Sequence, residues 1–445
     1  MSRMIIFAEG LAAGKFDPLD QVRPPFLLRN GVWTVAHRWE RLLRPDWITV
    51  AARPWLKDCT AEATGWTVNE MTDAPPDDVW LIIGTASPVQ YDFWKNPDLP
   101  ASFSWSFGHD SVTRISGSVW PRFRDPVTAW VQAGGAEDCP CSAPSIGPHT
   151  PILGAAGLWD LVDHLALQLE FDWQLWRALY GESPPNPAKR DSTAVVIGEK
   201  GLWAAPDAEI GPHTVVDASA GAVILDAGSV IEPFTRLTGP AYVGSWTRLV
   251  GGKFTGPSAF GPGCRLGGEV ETSIIQGFSN KVHEGFFGHG FVGEWANLGA
   301  LTTNSDLKNT YGHIRVERQG ETVDTGMIKV GSYLSDHTKT GIGTLLPTGA
   351  TFGVGVNIVS GGLAEKSIPP FVWGGAGKYM EHDIERMLAA AQIAIGRRES
   401  VRASLGMARA MTPGEQNALR VCFERSASNR LEFLSAPSRA GAARI

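Results

Sequence analysis

Residues 221–250 read GAVILDAGSVIEPFTRLTGPAYVGSWTRLV, and this stretch decides the fold. Leu225, Ile231, Leu237, Val243 and Leu249 follow one another at intervals of six, and the residues between them are small, polar, Gly or Pro. A helix would repeat at 3.6 and an ordinary strand at two, so a period of six fits neither. It is the signature of a parallel β-helix, in which each unit is a short strand plus a turn. Three units close one triangular coil. The aliphatic side chain points into the prism, and Gly, Asn or Asp takes the corners where φ is unusual. Coils of this kind wind left-handed, against the usual right-handed crossover. A second register runs Ile274, Phe286, Val292 and Leu298, missing only at Asn280. The alternative, a β-sandwich of short strands, does not explain consecutive equal intervals.

The rest of the chain is read outward from this block. At 445 residues, two or three domains are expected. Acidic residues (46) outnumber basic ones (39), and the basic ones form no run, which argues against a nucleic-acid binder. The 51 glycines come with 43% apolar residues, so they serve a folded architecture that turns often. Cys139-Pro-Cys141 lacks zinc-ligand spacing and there are five cysteines, so reduced thiols, no metal site and a cytoplasmic protein are expected. The N-terminus has no sustained apolar core of a signal peptide, and no run of 18 apolar residues predicts a membrane span.

Residues 1–155 are predicted to form an α/β domain. Residues 4–7 and 79–83 are short buried strands, residues 32–43 a helix, and residues 105–130 antiparallel strands. Residues 156–190 hold a connecting helix (157–181, with Gly181 as cap) and a Pro-rich linker at 183–187. The β-helix spans 191–376. Residues 377–434 carry terminal helices, one over 378–398 and one opened by Thr412-Pro413 with its early Glu415. Residues 435–445 read as a flexible tail.

Three blocks carry a family resemblance: residues 279–309 (SNKVHEGFFGHGFVGEWANLGALTTNSDLKN), 335–342 (SDHTKTGI) and 368–375 (IPPFVWGG). In this order they resemble the alternative bacterial branch of the bifunctional UDP-N-acetylglucosamine diphosphorylase/glucosamine-1-phosphate N-acetyltransferase family. Pro18-Leu19, Arg23-Pro24, Arg29, Gly31 and Trp39 fall in that family's first loop and helix, and the resemblance covers residues 4–425. It implies a doubly wound nucleotide-sugar pyrophosphorylase-like domain. After it would come a trimeric left-handed β-helix acyltransferase, taking acyl-CoA in clefts between subunits.

The candidate site residues follow. Amide formation from a thioester needs a base for the attacking amine, and His suits neutral pH. The resemblance puts His283 at the position of the catalytic histidine. Glu284, Glu294, Asn297, Asn304, Asp306, Lys308 and Asn309 form a dense polar stretch for which the resemblance suggests substrate recognition. Asp336, His337 and Lys339 form a second cluster, with Lys339 suited to CoA phosphates and His337 an alternative base. His289 and His313 have weaker claims, and Trp373 packs at the end of the prism. Arg23 and Arg29 would contact a nucleotide. Leu11-Ala-Ala-Gly-Lys15 resembles the start of the pyrophosphorylase glycine loop without its continuation. Mg²⁺-dependent nucleotidyl transfer wants a carboxylate after a central strand, yet Gly84-Thr-Ala-Ser follows Ile83, and Leu27 stands where relatives carry an acid.

The expectation is therefore a homotrimeric transferase, using acetyl-CoA on an amino group of a sugar phosphate or nucleotide sugar. A nucleotidyltransferase with a β-helix scaffold, needing Mg²⁺, is the alternative. A non-catalytic sugar-nucleotide sensor is a third reading.

Overall fold

The structure is a computed structural model that describes residues 2–73, 75–94, 96, 99–107, 109–141, 143–144, 152–184 and 188–436. Linker positions 185–187 and tail positions 437–445 lie outside the described residues.

The first domain is built on six strands: β1 (Arg3–Ala8), β2 (Trp47–Ala51), β3 (Thr67–Val68), β4 (Asp78–Ile83), β5 (Phe103–Phe107) and β6 (Asp110–Ser116). Their spatial order is β3-β2-β1-β4-β6-β5, parallel from β3 to β4 and antiparallel beyond. The apolar run Met4-Ile5-Ile6-Phe7 is fully buried, as a strand covered on both faces requires. Helices α1 (Val35–Leu43), α2 (Lys57–Thr64) and α3 (Arg124–Gln132) accompany the sheet. Only the first part of 105–130 is strand. Val127, Trp130 and Val131 sit on α3 and bury its apolar face. Chain order reverses between β1 and β4, which is where doubly wound sheets form their crevice.

The second domain is a left-handed parallel β-helix of three faces. Face one starts at Val195–Ile197, face two at Leu202–Ala204 and face three at Lys189–Arg190. The period-six residues take successive faces: Leu225 on face two, Ile231 on face three, Leu237 on face one, then Val243 and Leu249. Leu225 stacks on Val243 with a coil of 18 residues, and all five side chains are fully buried. The next coils shorten, so Phe260 stacks on Ile275 after only 15 residues. This shift corrects the second register: the inward residues are Ile275, Lys281 and Phe287, not Ile274, Asn280 and Phe286.

One corner of successive coils is held in the left-handed region. Trp246 (φ 62°), Gly263 (φ 66°), Phe278 (φ 52°), Trp295 (φ 61°), His337 (φ 59°) and Gly355 (φ 67°) occupy it in turn. Phe278 and Trp295 stack there at 4.5 Å, nearly parallel. Between the coil ending at Leu298 and the one continuing at Thr340 the chain inserts a hairpin, Arg315–Arg318 with Glu321–Asp324.

The end of the prism is closed by Lys378–Glu381, antiparallel to Val372–Gly375. The predicted helix at 378 therefore begins later, as α6 (Ile384–Gly396), where the Asp383 side chain accepts from the Arg386 amide. Helix α7 (Pro413–Arg425) carries a Thr412/Glu415 capping box and packs on α2 through Glu62.

The segment 157–181 forms two helices, α4 (Leu158–Asp163) and α5 (Leu165–Tyr180), the second packed against face two of the prism. Trp176 contacts Trp33, Trp203 and Tyr242 there. Asp172, wholly buried, takes a bidentate bond from Arg38 of α1 at 2.6 and 2.9 Å. The 165–180 helix thus joins both domains.

Candidate functional site

His283 lies two residues beyond the face-three strand Asn280–Lys281, on the corner leading to face one. Its side chain is exposed and makes no hydrogen bond among the described residues. The turn that carries it is held from inside. Lys281 occupies the inward position stacked on Leu266, and its Nζ donates to the carbonyls of Gly267 (3.0 Å), His283 (3.2 Å) and Gly285 (2.6 Å). Burial lowers Lys281 to about 8, against support from Glu284 and Glu269. Sequence reasoning passed over this lysine because its slot is one where only aliphatic residues are expected.

Asn297 is exposed on face three, in register with Asn280 below and Lys339 above. His283 lies past the strand of the coil below, on the corner toward face one. Glu294, Asp336 and His337 meet at the corner between faces two and three. The Asp336 carboxylate accepts the Glu294 amide at 2.7 Å and binds Arg23, which also pairs with Glu294 at 3.2 Å. The guanidinium expected to meet a nucleotide is therefore engaged by the β-helix. Arg29 is buried as well: it donates to the carbonyls of Gln276, Gly31 and Val32 and lies over the Tyr242 ring. His337 is one of the left-handed corner residues, and burial lowers its ring to about 3, so it stays neutral.

The remaining polar residues belong to another corner. Asn304 is buried and its amide pairs with both backbone groups of Gly288 at 2.8 Å. Asp306 accepts or shares a proton with His289 Nδ1 at 2.7 Å, and that bond holds its carboxyl below the usual range. Lys308 Nζ donates to the His313 carbonyl at 2.5 Å, and Asn309 is exposed. The polar stretch expected as one recognition group is thus divided: Asn297 is on face three, Glu294 at the corner with Asp336, and Asn304 and Asp306 at another. The His289–Asp306 dyad joins two residues that sequence reasoning had put in different classes.

In the first domain, the acid absent after β4 arrives from its antiparallel neighbour. Asp110 on β6 accepts from the Thr85 amide (2.9 Å), the Thr85 hydroxyl (2.9 Å) and the Ala155 amide (3.0 Å). Burial raises its carboxyl, and the charge of Lys15 opposes this. The glycine loop is covered by the inserted hairpin: Gln319 Nε2 donates to the Gly14 carbonyl at 2.9 Å, and Arg318 to those of Lys15 and Ala156. The cavity left at the crevice, beside Asn30, Ser87, Asp160, His164 and Gln168, measures about 10 Å³, room for about one water. Among the described residues no group of three Asp, Glu, His or Cys side chains converges. With its carboxylate already committed, this crevice does not fit Mg²⁺. Among the described residues no helix is long and apolar enough to cross a membrane.

The chain thus combines an α/β domain with a three-sided β-helix that carries an exposed histidine on one corner. No family model matches the chain. It is 26% identical over 100 residues to a bifunctional sugar-1-phosphate nucleotidylyltransferase/acetyltransferase of Sulfurisphaera tokodaii, covering 22% of this chain and 25% of the relative. It is 26% identical over 165 residues to the bifunctional protein GlmU of Synechococcus elongatus, covering 36% of this chain and 31% of that protein. The matches thus span less than a third of either relative. A UDP-N-acetylglucosamine acyltransferase of Francisella novicida covers 47% of this chain and 79% of its own, at 13% identity and a TM-score of 0.34. That superposition is loose, and the fold assignment rests on the strand registers themselves.

Proposed function

We propose that the chain transfers an acyl group, acetyl by default, from a CoA thioester to an amino group of a sugar phosphate or nucleotide sugar. The observation that carries this reading is the placing of His283: exposed, unbonded, and held at a corner whose backbone is tied from inside by Lys281. An unprotonated ring nitrogen of His283 accepts the amine proton as the nitrogen attacks the thioester carbonyl. The C–N bond forms, the C–S bond breaks, and the proton passes to the departing sulfur. Asn297, exposed on face three in register with Asn280 and Lys339, is the polar residue we assign to touch substrate. Lys339, free of any ion pair among the described residues, is the member of its cluster suited to a phosphate, whereas Asp336 and Glu294 serve Arg23.

We assign the first domain a supporting role, because Asp110, the glycine loop and the crevice are occupied by the chain itself. The active form is a homotrimer in the cytoplasm. Leu301, Ile342 and Val359 each follow a face-three strand, as His283 does, and stand exposed with Leu345 and Leu363 close by in sequence. A second copy seated on this apolar corner would wall the His283 site.

A second reading makes His289 the base, oriented by Asp306 as a carboxylate orients a catalytic histidine. The test is release of free CoA from acetyl-CoA with a panel of amino-sugar phosphates and nucleotide amino sugars. We expect release by the wild type, a loss of at least ~100-fold in His283→Ala and near-normal rates in His289→Ala. The reverse pattern moves the base to His289. No release with any acceptor removes the transferase reading.

A further inference from the structure

Face three carries a groove between the prism and helix α6, with a cavity of about 390 Å³. Its floor is the in-register ladder Arg265, Asn280, Asn297 and Lys339, supplied by four successive coils. Arg397 and Arg398, just past the end of α6, overhang it. Phe278 and Trp295 line one edge as a parallel pair, and Ala390, Ile393 and Ala394 form an apolar wall.

We propose that this groove binds a ligand with two or more phosphates beside a flat or apolar portion. Both the nucleotide end of CoA and a nucleoside-diphosphate sugar belong to that class.

The charge count is the first argument. Four cations line the groove, and no Asp or Glu does. Arg265, Lys339 and Arg397 make no ion pair among the described residues, and Arg398 donates only to neutral oxygens, the Gly263 carbonyl (3.3 Å) and Asn280 Oδ1 (2.9 Å). The nearest acid along the chain, Glu399, is turned to Arg409 at 3.3 Å. Burial together with Arg265 and Arg397 disfavours the charge on Arg398, and burial does the same at Lys339. Cations crowded this way call for a counter-anion. A helix C-terminus favours basic residues, which accounts for Arg397 and Arg398 but not for Arg265 and Lys339.

The second argument is the shape of the lining. A bare anion needs no apolar wall, yet Ile393 is left 67% exposed beside the charges. The Asn280 and Asn297 amides between the cations can donate to phosphate or ring oxygens. The proposal rests on the acyl-transfer reading only if the ligand is the donor.

Calorimetric titration of the full chain decides it, with adenosine 3′,5′-bisphosphate and UDP as separate probes. Tighter binding of the first identifies the donor's nucleotide end, and tighter binding of UDP a nucleotide sugar. In either case Arg265→Ala combined with Arg397→Ala should weaken binding by about tenfold per charge removed. Both side chains are exposed and unbonded, so the fold should persist, with an unchanged melting temperature as the check. Arg236→Ala, on face one, should bind as wild type. If neither probe binds, or if the double variant binds like wild type, the proposal is wrong. Binding is read without turnover, so an inactive transferase that still binds would sink the acyl-transfer reading and leave the groove standing.

Discussion

Lys281 shows how one residue can be both a fault in a pattern and a support for a site. It takes an inward slot between aliphatic coils, where a leucine would cost nothing, and spends its ammonium on three carbonyls of the turn around His283. Its folded value is about 8 against an ordinary 10.5. Between those values the unfolded chain holds more protons than the folded one, so stability rises with pH across that window, by up to ~1.4 kcal/mol per pH unit. Urea unfolding at pH 8 and 9.5 should show this gain in wild type and its loss in Lys281→Met. Equal changes in the two proteins would refute the assignment. The same variant frees the His283 turn, and a fall in kcat of about tenfold is expected with KM little changed.

Elements were legible where their spacing was regular. The five residues from Leu225 to Leu249 reveal the prism because those coils keep 18 residues. Counting by six already fails at Phe254, five residues after Leu249, and the 15-residue coil from Phe260 to Ile275 shifts the count by three more. The groove could not be read at all: Arg265, Asn280, Asn297, Lys339 and Arg397 share no sequence interval and meet only through strand register and the return of α6. Asp110 was missed for a similar reason, since the acid reaches the end of β4 from an antiparallel neighbour. Its entry depends on two glycines. A Cβ at Gly84, which has φ +69°, would stand 1.8 Å from Asp110 Oδ1, and one at Gly154 would stand 2.4 Å from Oδ2. Gly84→Ala should therefore lower stability by roughly 2–4 kcal/mol in chemical denaturation. Gly65→Ala, also at positive φ but with open space around it, should cost only about 1 kcal/mol.

At the scale of the whole molecule, the tryptophans mark the seams. One set, Trp39, Trp80, Trp94 and Trp105, packs within the first domain, and another, Trp33, Trp176 and Trp203, fills the joint with the prism. The Arg38–Asp172 pair completes that joint with no exposure on either side. Asp172→Asn strands a buried guanidinium, and a loss of about 3–5 kcal/mol is expected, with both domains melting together in wild type. If Asp172→Asn melts like wild type, the joint does not hold the domains. The exposed corner at Ile342 makes a separate prediction. Ile342→Glu should yield monomers in sedimentation while leaving the circular dichroism spectrum unchanged, and monomers should lose transfer activity.

The tie between Arg23 and Asp336 spans 313 residues of chain. The first domain leaves the ribosome with its docking loop complete, while the coil that receives it is still unmade. At about 5–20 residues per second, that interval lasts roughly 15–60 s. Throughout it, Arg23 waits for Asp336, its partner on the later coil. A nascent chain paused before residue 336 should therefore be unusually dependent on chaperones, and its rescue should begin when that coil closes.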